Sequence, residues 1–409
     1  MTETKKNGQR IGLVLSAVPG YSETFFTNKI AGLQAHGFEV LLYVTDQSGV
    51  IPAVLGCRVI PAPDFKGSAF RVICISIWVF LKTILCQPIS SFRHFQLDRS
   101  VGFSVSASVK RLIKNAFLLE EPLDWLHFGF GMLAVGREHV ATAIQARMAV
   151  SFRGFDLYLS PLKHPNCYDL LFTKNVQYHV LSEEMKDDLQ ANGILESAIR
   201  VITPAIDVAF FSSKPNTTEL KADSKVQLIS VARLHWKKGL EYTLEALAGL
   251  RQAGVDFHYS IIGTGEERER LVFAAHQLGL LDAITFEGRL EPEAVRQRLS
   301  SADIYLQYSI QEGFCNAVLE AQAMGLLCVV SDAEGLQENV LHQETGWVVA
   351  KRQPQLLAKQ FVMTLILINS KPPFWRFIIR RIPYYYIVYP SYLFYSYCFL
   401  WCFKVFVKL

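Results

Sequence analysis

Short apolar runs alternate with longer amphipathic stretches along most of the chain, and polar or glycine-containing turns separate them. Apolar runs of this length are typical of strands that are buried on both faces of a parallel sheet. Strands that alternate with helices in this way predict an α/β fold. In the first half of the chain, the predicted strands are 11–17, 39–44, 125–128, 149–152 and 177–181.

The same alternation starts again after a polar, proline-containing stretch, residues 208–225, which we interpret as a linker. A chain of 409 residues with two such series predicts two domains, 1–207 and 226–368, followed by an atypical tail, 369–409. The second series has predicted strands at 226–231, 257–263, 284–287, 304–307 and 327–331, and helices at 238–252, 266–278, 292–301 and 315–325.

Three apolar segments have more than one interpretation. Residues 11–18 follow three basic residues, as in a signal peptide, but they lead into a glycine loop, so we favour a strand. Residues 72–85 are too short to span a bilayer; we expect a core helix, with a helix lying in a membrane surface as the alternative. Residues 382–403 carry no charge and have bilayer-spanning length, although two prolines interrupt them. They are a membrane anchor, a packed tail or the product of a reading-frame error.

Composition excludes several classes of protein. The chain is 51% hydrophobic and 19% charged, which excludes a disordered chain. A net charge of +4 without a dense basic run predicts no nucleic-acid partner, although it suits weak attraction to an anionic membrane. The eight cysteines are scattered without zinc-site spacing, as expected for a reducing cytoplasm.

The most specific pattern follows the predicted strand 304–307. Gly313 permits close approach of the backbone, and the amides of 313–316 open a predicted helix, whose N-terminus suits a phosphate. Glu312 and Glu320 lie at the rim of the same predicted site. Two carboxylates there need hydrogen-bond donors, which sugar and ribose hydroxyls supply.

Two cations follow the first strand of the second series. Ligands of open α/β sheets bind at the carboxyl ends of strands, where Arg233 and Lys238 would clamp a diphosphate. A further strand–loop–helix contains Gly263, but its G-x-G pattern lacks the third glycine of a dinucleotide site.

The spacing of Glu312 and Glu320 resembles the E-x7-E motif of the family 4 retaining glycosyltransferases, also called glycosyl transferases group 1. The resemblance covers most of residues 10–365 and is strongest over 226–348. It implies the GT-B fold, in which two facing Rossmann-like domains form a donor cleft between them.

The resemblance also implies roles for individual residues. Glu312 would contact the donor sugar, Glu320 the ribose, and Arg233 and Lys238 the pyrophosphate. The sugar hydroxyls would be held by the amides of Gly313, Phe314, Cys315 and Asn316.

Other positions match the family more loosely. Gly263 would belong to the donor crevice, Arg289 and Leu290 would lie beside the nucleotide base, and Gly20 would lie in a loop that faces the diphosphate. On the acceptor side, His127 ends a strand before a glycine, and a similar His-Phe-Gly occurs in members that build polysaccharides, so we expect an active-site role. Many relatives have histidine where this chain has Arg153, whose role stays open between an acceptor contact and a structural one.

The implied reaction is transfer of a hexosyl group from a nucleoside diphosphate sugar to an acceptor hydroxyl, with retention. His127, Arg233, Lys238 and Glu312 are the predicted catalytic residues. A lipid-linked saccharide at the inner face of the cytoplasmic membrane is the expected acceptor. No convincing Asp-x-Asp motif occurs, so we expect no metal, and no cofactor beyond the sugar nucleotide. The alternatives are an inactive scaffold with this fold, or another enzyme such as an epimerase or a phosphorylase.

Overall fold

The computed structural model describes residues 8–20, 24–46, 53–212 and 225–370. The chain divides into two compact units, the first ending at Pro204 and the second beginning at Ala205. Most of the predicted linker, residues 213–224, lies outside the described residues. The same holds for residues 371–409, to which the three interpretations of the tail apply.

The first unit contains an eight-stranded sheet with the order β3-β4-β2-β1-β5-β6-β7-β8. All neighbouring strands in it run parallel except the short β3, which is antiparallel to β4. The strands are β1 (Arg10–Leu15), β2 (Glu39–Val44), β3 (Ala53–Val54), β4 (Cys57–Pro61), β5 (Trp125–Phe128), β6 (Arg147–Ser151), β7 (Val176–Val180) and β8 (Ile199–Val201).

Helices connect these strands. The crossover from β4 to β5 contains three successive helices, of which only the first was predicted. The helices of this unit are α1 (Thr24–Ala35), α2 (Ala69–Cys86), α3 (Pro88–Ser100), α4 (Val105–Asn115), α5 (Gly131–Ala134), α6 (Val140–Ala143), α7 (Ser160–Lys163), α8 (Asp169–Phe172) and α9 (Glu183–Ala191).

The second unit contains a six-stranded parallel sheet with the order β11-β10-β9-β12-β13-β14. Its strands are β9 (Val226–Val231), β10 (Phe257–Ile262), β11 (Ile284–Gly288), β12 (Ile304–Gln307), β13 (Leu327–Ser331) and β14 (Gly346–Val349). Its helices are α10 (Leu240–Gln252), α11 (Arg268–Gln277), α12 (Pro292–Ser301), α13 (Asn316–Ala323), α14 (Leu336–Asn339) and α15 (Pro354–Ser370).

The strands at the centre of the second sheet are the most deeply buried. Every residue of β12 and of β13 is buried, as continuous apolar runs predict for the centre of a parallel sheet. Two alternating series of strands and helices thus form two α/β units, and the predicted fold class is confirmed.

The prediction that residues 72–85 form a core helix is wrong. The segment is helical as part of α2, but of that helix only Val79 and Thr83 are buried. The sequence correctly predicted a helix there, but it favoured burial of that helix in the core over exposure. Among the described residues, α2 is the one helix that is long and apolar enough, by length and composition, to cross a membrane.

Candidate functional site

In the second unit, the predicted site lies at the carboxyl ends of β9 and β12, which pair at the centre of the sheet. From β9 the chain runs to β10 on one side, while β12 leads to β13 on the other, so the two strands form a topological switch point. Ligands of open α/β sheets bind in the crevice outside such a point. Lys238 follows β9 and Glu312 follows β12.

Lys238 and Glu312 form an ion pair through Nζ and Oε1. Only 15% and 8% of their side chains are exposed. The same Glu312 oxygen accepts a hydrogen bond from the Ser309 hydroxyl at 3.0 Å. The Gln307 amide donates to Ser309 at 2.8 Å and receives a hydrogen bond from the Tyr305 hydroxyl at 3.0 Å. This buried polar chain fixes the carboxylate of Glu312 beside the lysine.

Lys238 keeps its charge in this place. Burial lowers its pKa, but the Glu312 carboxylate opposes this, and the net pKa is raised above the ordinary value. Arg233 is close enough for its charge to lower the pKa of Lys238, while its own side chain is exposed. The structure therefore brings both predicted cations and Glu312 to one place.

A glycine lets the loop after β9 close on the loop after β12. Gly239 has φ +60°, and a Cβ there would approach the Tyr308 carbonyl oxygen to 2.1 Å. Next to this contact, the Ile310 amide donates to the Lys237 carbonyl at 2.7 Å. The short distance between Lys238 and Glu312 thus depends on a residue without a side chain at position 239.

The glycine loop after β10 packs against the same region. A Cβ on Gly263 would lie 1.9 Å from the Ala232 carbonyl oxygen, and the Gly263 amide donates to Gly288 at 2.8 Å. Gly288 ends β11, and the predicted base-side residues follow it: Arg289 is exposed and Leu290 is half-buried. The structure places all of these residues at the carboxyl edge of the sheet.

The loop from Gly313 to Asn316 leads into α13, which begins at Asn316. The Gly313 carbonyl lies against Gly335, where a Cβ would approach its oxygen to 2.1 Å. The Cys315 amide donates to Asn339 Oδ1 at 3.0 Å. This differs from its predicted contact with sugar hydroxyls, because the amide is already held within the protein. Asn339 was missed from the sequence, which gives no sign that it would reach the loop.

Glu320 lies on α13, one turn after the helix begins, and is half-buried. Burial raises the pKa of its carboxyl group to about 7. Near neutral pH, the protonated form can donate a hydrogen bond and the ionised form can only accept, so the group suits a hydroxyl partner.

The first unit holds a second polar cluster at the carboxyl ends of neighbouring strands. His127 lies on β5, Ser151 ends β6, and His179 lies on β7. Ser151 Oγ is 2.8 Å from His127 Nε2 and 2.9 Å from His179 Nδ1. Lys29 Nζ, from α1, is 3.2 Å from His127 Nδ1.

These contacts assign one direction to the hydrogen bonds. His179 Nε2 lies 3.1 Å from the Ile202 carbonyl oxygen, which can only accept, so Nε2 carries the hydrogen. The Ser151 hydroxyl then donates to His179, His127 Nε2 donates to Ser151, and Lys29 donates to His127. Both imidazoles must be neutral for this arrangement.

The pKa values agree with it. Burial and the charge of Lys29 lower the pKa of His179 to about 4, and the same causes hold the pKa of His127 well below its ordinary value. Burial and the nearby Arg153 lower the pKa of Lys29 to about 7, so this lysine exchanges a proton near neutral pH. Lys29, Ser151 and His179 were missed from the sequence. Polar residues within the predicted strands 149–152 and 177–181 were the available signal for the last two.

Arg153 lies beside this cluster. Its guanidinium stands over the rings of Phe25 and Phe26, at 3.9 Å and 4.7 Å from their centroids. Asp156 accepts from the Arg153 amide at 2.7 Å, which fixes the backbone there. Gly20, the remaining predicted residue, follows β1 and is exposed, and residues 21–23 of its loop lie outside the described part.

The chain is similar in sequence to several known proteins. Residues 215–367 match the family model of the glycosyl transferases group 1. The amylovoran biosynthesis glycosyltransferase AmsK of Erwinia amylovora is 29% identical over 262 residues, 62% of this chain and 62% of AmsK. WcaL of Escherichia coli strain K12, named as a colanic acid biosynthesis glycosyltransferase, is 30% identical over 57% of this chain and 59% of its own. The chain thus spans about three fifths of the length of these relatives.

A structural likeness extends over most of the chain. The crystal structure of Anabaena Alr3699/HepE in complex with UDP and glucose matches with a TM-score of 0.65 at 16% identity. The match covers 93% of this chain and 94% of the other. The family match and the relatives confirm the resemblance to the glycosyl transferases group 1, and the structural likeness confirms the α/β fold of the GT-B glycosyltransferases.

Proposed function

We propose that this protein is a glycosyltransferase that moves a hexosyl group from a nucleoside diphosphate sugar to an acceptor hydroxyl in polysaccharide assembly. The observation that carries the proposal is the buried Lys238–Glu312 pair at the switch point between β9 and β12, with the charge of Arg233 close by. A cation and a hydrogen-bonded carboxylate side by side suit the two parts of such a donor, its diphosphate and its sugar hydroxyls.

In the proposed reaction, the leaving diphosphate gains negative charge as the bond to the sugar breaks. Lys238 and Arg233 would stabilise that charge, and so would the amides at the start of α13. Glu312 would exchange its contact with Lys238 for hydroxyls of the sugar, and Glu320 would bind the ribose. We propose that cations of the chain take the place of a divalent metal ion, and that the configuration at the anomeric carbon is retained.

The acceptor is proposed to bind the first unit. His127 and Lys29 offer a proton-exchanging pair there, and Arg153 adds a positive charge that suits a phosphate. A lipid-linked saccharide at the inner face of the cytoplasmic membrane combines a hydroxyl with phosphate. The names of AmsK and WcaL, which refer to the biosynthesis of amylovoran and colanic acid, support polysaccharide assembly.

Calorimetric titration of the full chain with UDP, GDP and ADP tests the donor site and identifies the base. We expect one of the three to bind, and Lys238→Ala to weaken that binding. Radiolabelled sugar transfer to lipid-linked acceptors then tests the reaction. Nucleotide binding without transfer to any acceptor would indicate an inactive scaffold. Release of free sugar phosphate would indicate a phosphorylase, and formation of an isomerised sugar nucleotide would indicate an epimerase.

A further inference from the structure

The outward face of α2 is apolar. Cys74, Trp78, Leu81 and Leu85 follow one another at the spacing i, i+4, i+7 and i+11, so they form one stripe along the helix. All four are exposed, Trp78 by 63% and Leu85 by 78%. A surface helix of a globular protein normally places its polar stripe in this position.

The two buried residues of α2 are Val79 and Thr83, and both are of modest size. The buried Thr83 donates its hydroxyl hydrogen to the Val79 carbonyl at 2.6 Å, and Ser76 does the same to Val72 at 2.7 Å. Since these hydroxyls bond within their own helix, they need no partner from the rest of the unit. Lys82 pairs with Glu120 at 2.5 Å and thereby ties the helix to the body of the first unit. The helix is therefore anchored with most of its large apolar side chains exposed.

Exposed apolar residues also occur on α3, which begins two residues after α2 ends. Ile89 and Phe92 in its first half are exposed, by 65% and 61%. We call these two residues and the four of the stripe on α2 the α2–α3 face. Large exposed apolar areas mark sites that bind a membrane or another protein.

Basic residues outnumber acidic ones in the segment that contains the α2–α3 face. From residue 65 to residue 100 the sequence contains one acidic residue, Asp98, which is fully buried and held by Arg111 at 3.0 Å and His139 at 2.7 Å. The basic residues of the same segment are Lys66, Arg71, Lys82, Arg93 and Arg99. Although Asp64 and Glu120 pair with two of them, a surplus of positive charge surrounds the apolar face.

We infer that the α2–α3 face is the surface by which this protein lies on an anionic membrane, with α2 in the plane of the interface. Basic residues around an apolar helix face are attracted by anionic headgroups, while Trp78 and Phe92 favour the boundary between headgroups and acyl chains. The inference rests on the proposed function in one respect, since it names the surface through which the enzyme reaches a lipid-linked acceptor.

The same basic residues disfavour two other partners for the α2–α3 face, a second copy of the chain and the chain's own apolar segment 382–403. A second copy of the chain would bring an equally basic face against this one, and like charges in close contact oppose association. The apolar segment 382–403 has basic residues on both sides, at 376, 380 and 381 and at 404 and 408, so the same repulsion applies to it. Anionic headgroups are the partner that complements both the apolar face and its basic surroundings.

Natural cysteines of the full chain allow a test without substitution. Cys74 lies in the exposed stripe of α2, and the half-buried Cys167 of the same unit serves as the internal reference. The measurement is the rate of alkylation of each cysteine by a charged maleimide, resolved by peptide mass spectrometry. Vesicles contain either phosphatidylcholine alone or phosphatidylcholine with phosphatidylglycerol. We expect the anionic vesicles to slow alkylation of Cys74 by about tenfold or more, since they shield an inserted helix face from water, and to leave Cys167 unchanged.

Three outcomes would overturn the inference. If Cys74 stays reactive while the protein sediments with the vesicles, another part of the chain holds the membrane. If Cys74 is protected only at high protein concentration and without vesicles, a second copy covers the face. If it is protected under every condition, the chain covers the face itself.

A matched pair of variants gives an independent readout. Leu85→Asp combined with Phe92→Asp changes the α2–α3 face, and Leu162→Asp combined with Phe273→Asp is the control, because Leu162 and Phe273 are exposed by 78% and 63% elsewhere on the molecule. We expect affinity for the anionic vesicles to fall at least about tenfold in the first variant and to stay unchanged in the control. Equal loss in both, or in neither, contradicts the inference.

Nucleotide binding separates this inference from the proposed function. Both variants leave the loops of the second unit intact, so calorimetric titration with the nucleoside diphosphate that binds the unaltered chain should give the same affinity. If neither the variants nor the unaltered chain binds any nucleotide, the proposed function fails while the vesicle result stands.

Discussion

Glu312 and Glu320 belong to one motif, yet the two carboxyl groups lie in different environments. Glu312 accepts hydrogen bonds from Lys238 and Ser309. Burial raises the pKa of Glu320 to about 7. Two carboxyl groups in such different environments can perform different tasks in one site.

The buried carboxyl of Glu320 predicts a pH-dependent stability. Its pKa rises from 4.5 to about 7 on folding, so the folded chain holds the proton more tightly and stability falls as the pH rises between these values. We expect Glu320→Gln to stabilise the protein above pH 7, by up to about 3 kcal/mol, and to have little effect below pH 4.5. Urea unfolding across this pH range measures the difference.

The exposed Glu344 provides the control for this prediction. Glu344→Gln removes one carboxyl group at the surface and shows how much of the effect comes from net charge alone. A stabilisation by Glu320→Gln that is independent of pH contradicts the account.

Glu320→Gln should also weaken binding of the nucleoside diphosphate, because an amide replaces the carboxylate that would accept hydrogen bonds from the ribose hydroxyls. Removal of one such hydrogen bond to a charged group reduces affinity roughly tenfold.

The substitution Lys238→Ala is predicted to lower turnover. Lys238→Ala removes a cation that would face the leaving diphosphate, and loss of one preorganised group of this kind lowers turnover by roughly 10²–10³. Radiolabelled sugar transfer measures the rate, and thermal unfolding shows whether the variant is folded. Lys186→Ala, which removes ion pairs to Glu183 and Glu196 in the first unit, should leave turnover unchanged. Near-normal turnover in folded Lys238→Ala protein would refute the assigned role.

At the scale of elements, the junction of two loops sets the geometry of the donor site. The turn after β9 reaches the loop after β12 because Gly239 has no side chain. Gly239→Ala places a Cβ 2.1 Å from the Tyr308 carbonyl oxygen. Alanine is also disfavoured at the φ of +60° that this position adopts. We expect the loops to separate, with a loss of stability of about 2 kcal/mol or more and weaker binding of the nucleoside diphosphate.

A substitution at Gly254 separates the backbone penalty of a positive φ from the effect of a steric clash. It has φ +78°, but nothing lies within 4 Å of a Cβ placed there. Gly254→Ala should therefore show only the backbone penalty of about 1 kcal/mol, with unchanged nucleotide affinity. If the two alanine variants lose equal stability and both keep their affinity, contact of the two loops is not what positions Lys238.

The elements also show what the sequence could predict and what it could not. Strands such as β9, β12 and β13 were located within a residue because turns bound a continuous apolar run. The motif residues that follow these strands could then be placed together, because the carboxyl ends of parallel strands lie at one edge of the sheet. For α2 the sequence favoured a core helix and gave a helix in a membrane surface only as the alternative, because an apolar run does not show what covers it. Lys29 was missed because only the folded chain brings α1 beside β5.

At the scale of the whole molecule, each unit carries its own polar cluster at the carboxyl ends of its strands. The first cluster contains His127, Ser151 and His179, and the second contains Lys238 and Glu312. Two sheets of the same architecture thus present different chemistry, a proton-exchanging chain in one unit and a cation–carboxylate pair in the other. Function in this fold lies in the residues at the strand ends rather than in the sheets themselves.

This division predicts where a nucleoside diphosphate acts on the molecule. Binding at the switch point stabilises the second unit by about 2.7 kcal/mol at a ligand concentration one hundred times the dissociation constant. Hydrogen exchange of the full chain should therefore slow in the loops after β9, β10 and β12, and in the strands of that sheet, because local opening there must also release the ligand. Lys238→Ala protein at the same nucleotide concentration serves as the control and should show much less protection. Slowed exchange confined to the first unit, around His127, would mean that the nucleotide binds the other cluster, and the assignment of donor and acceptor sides would have to be reversed.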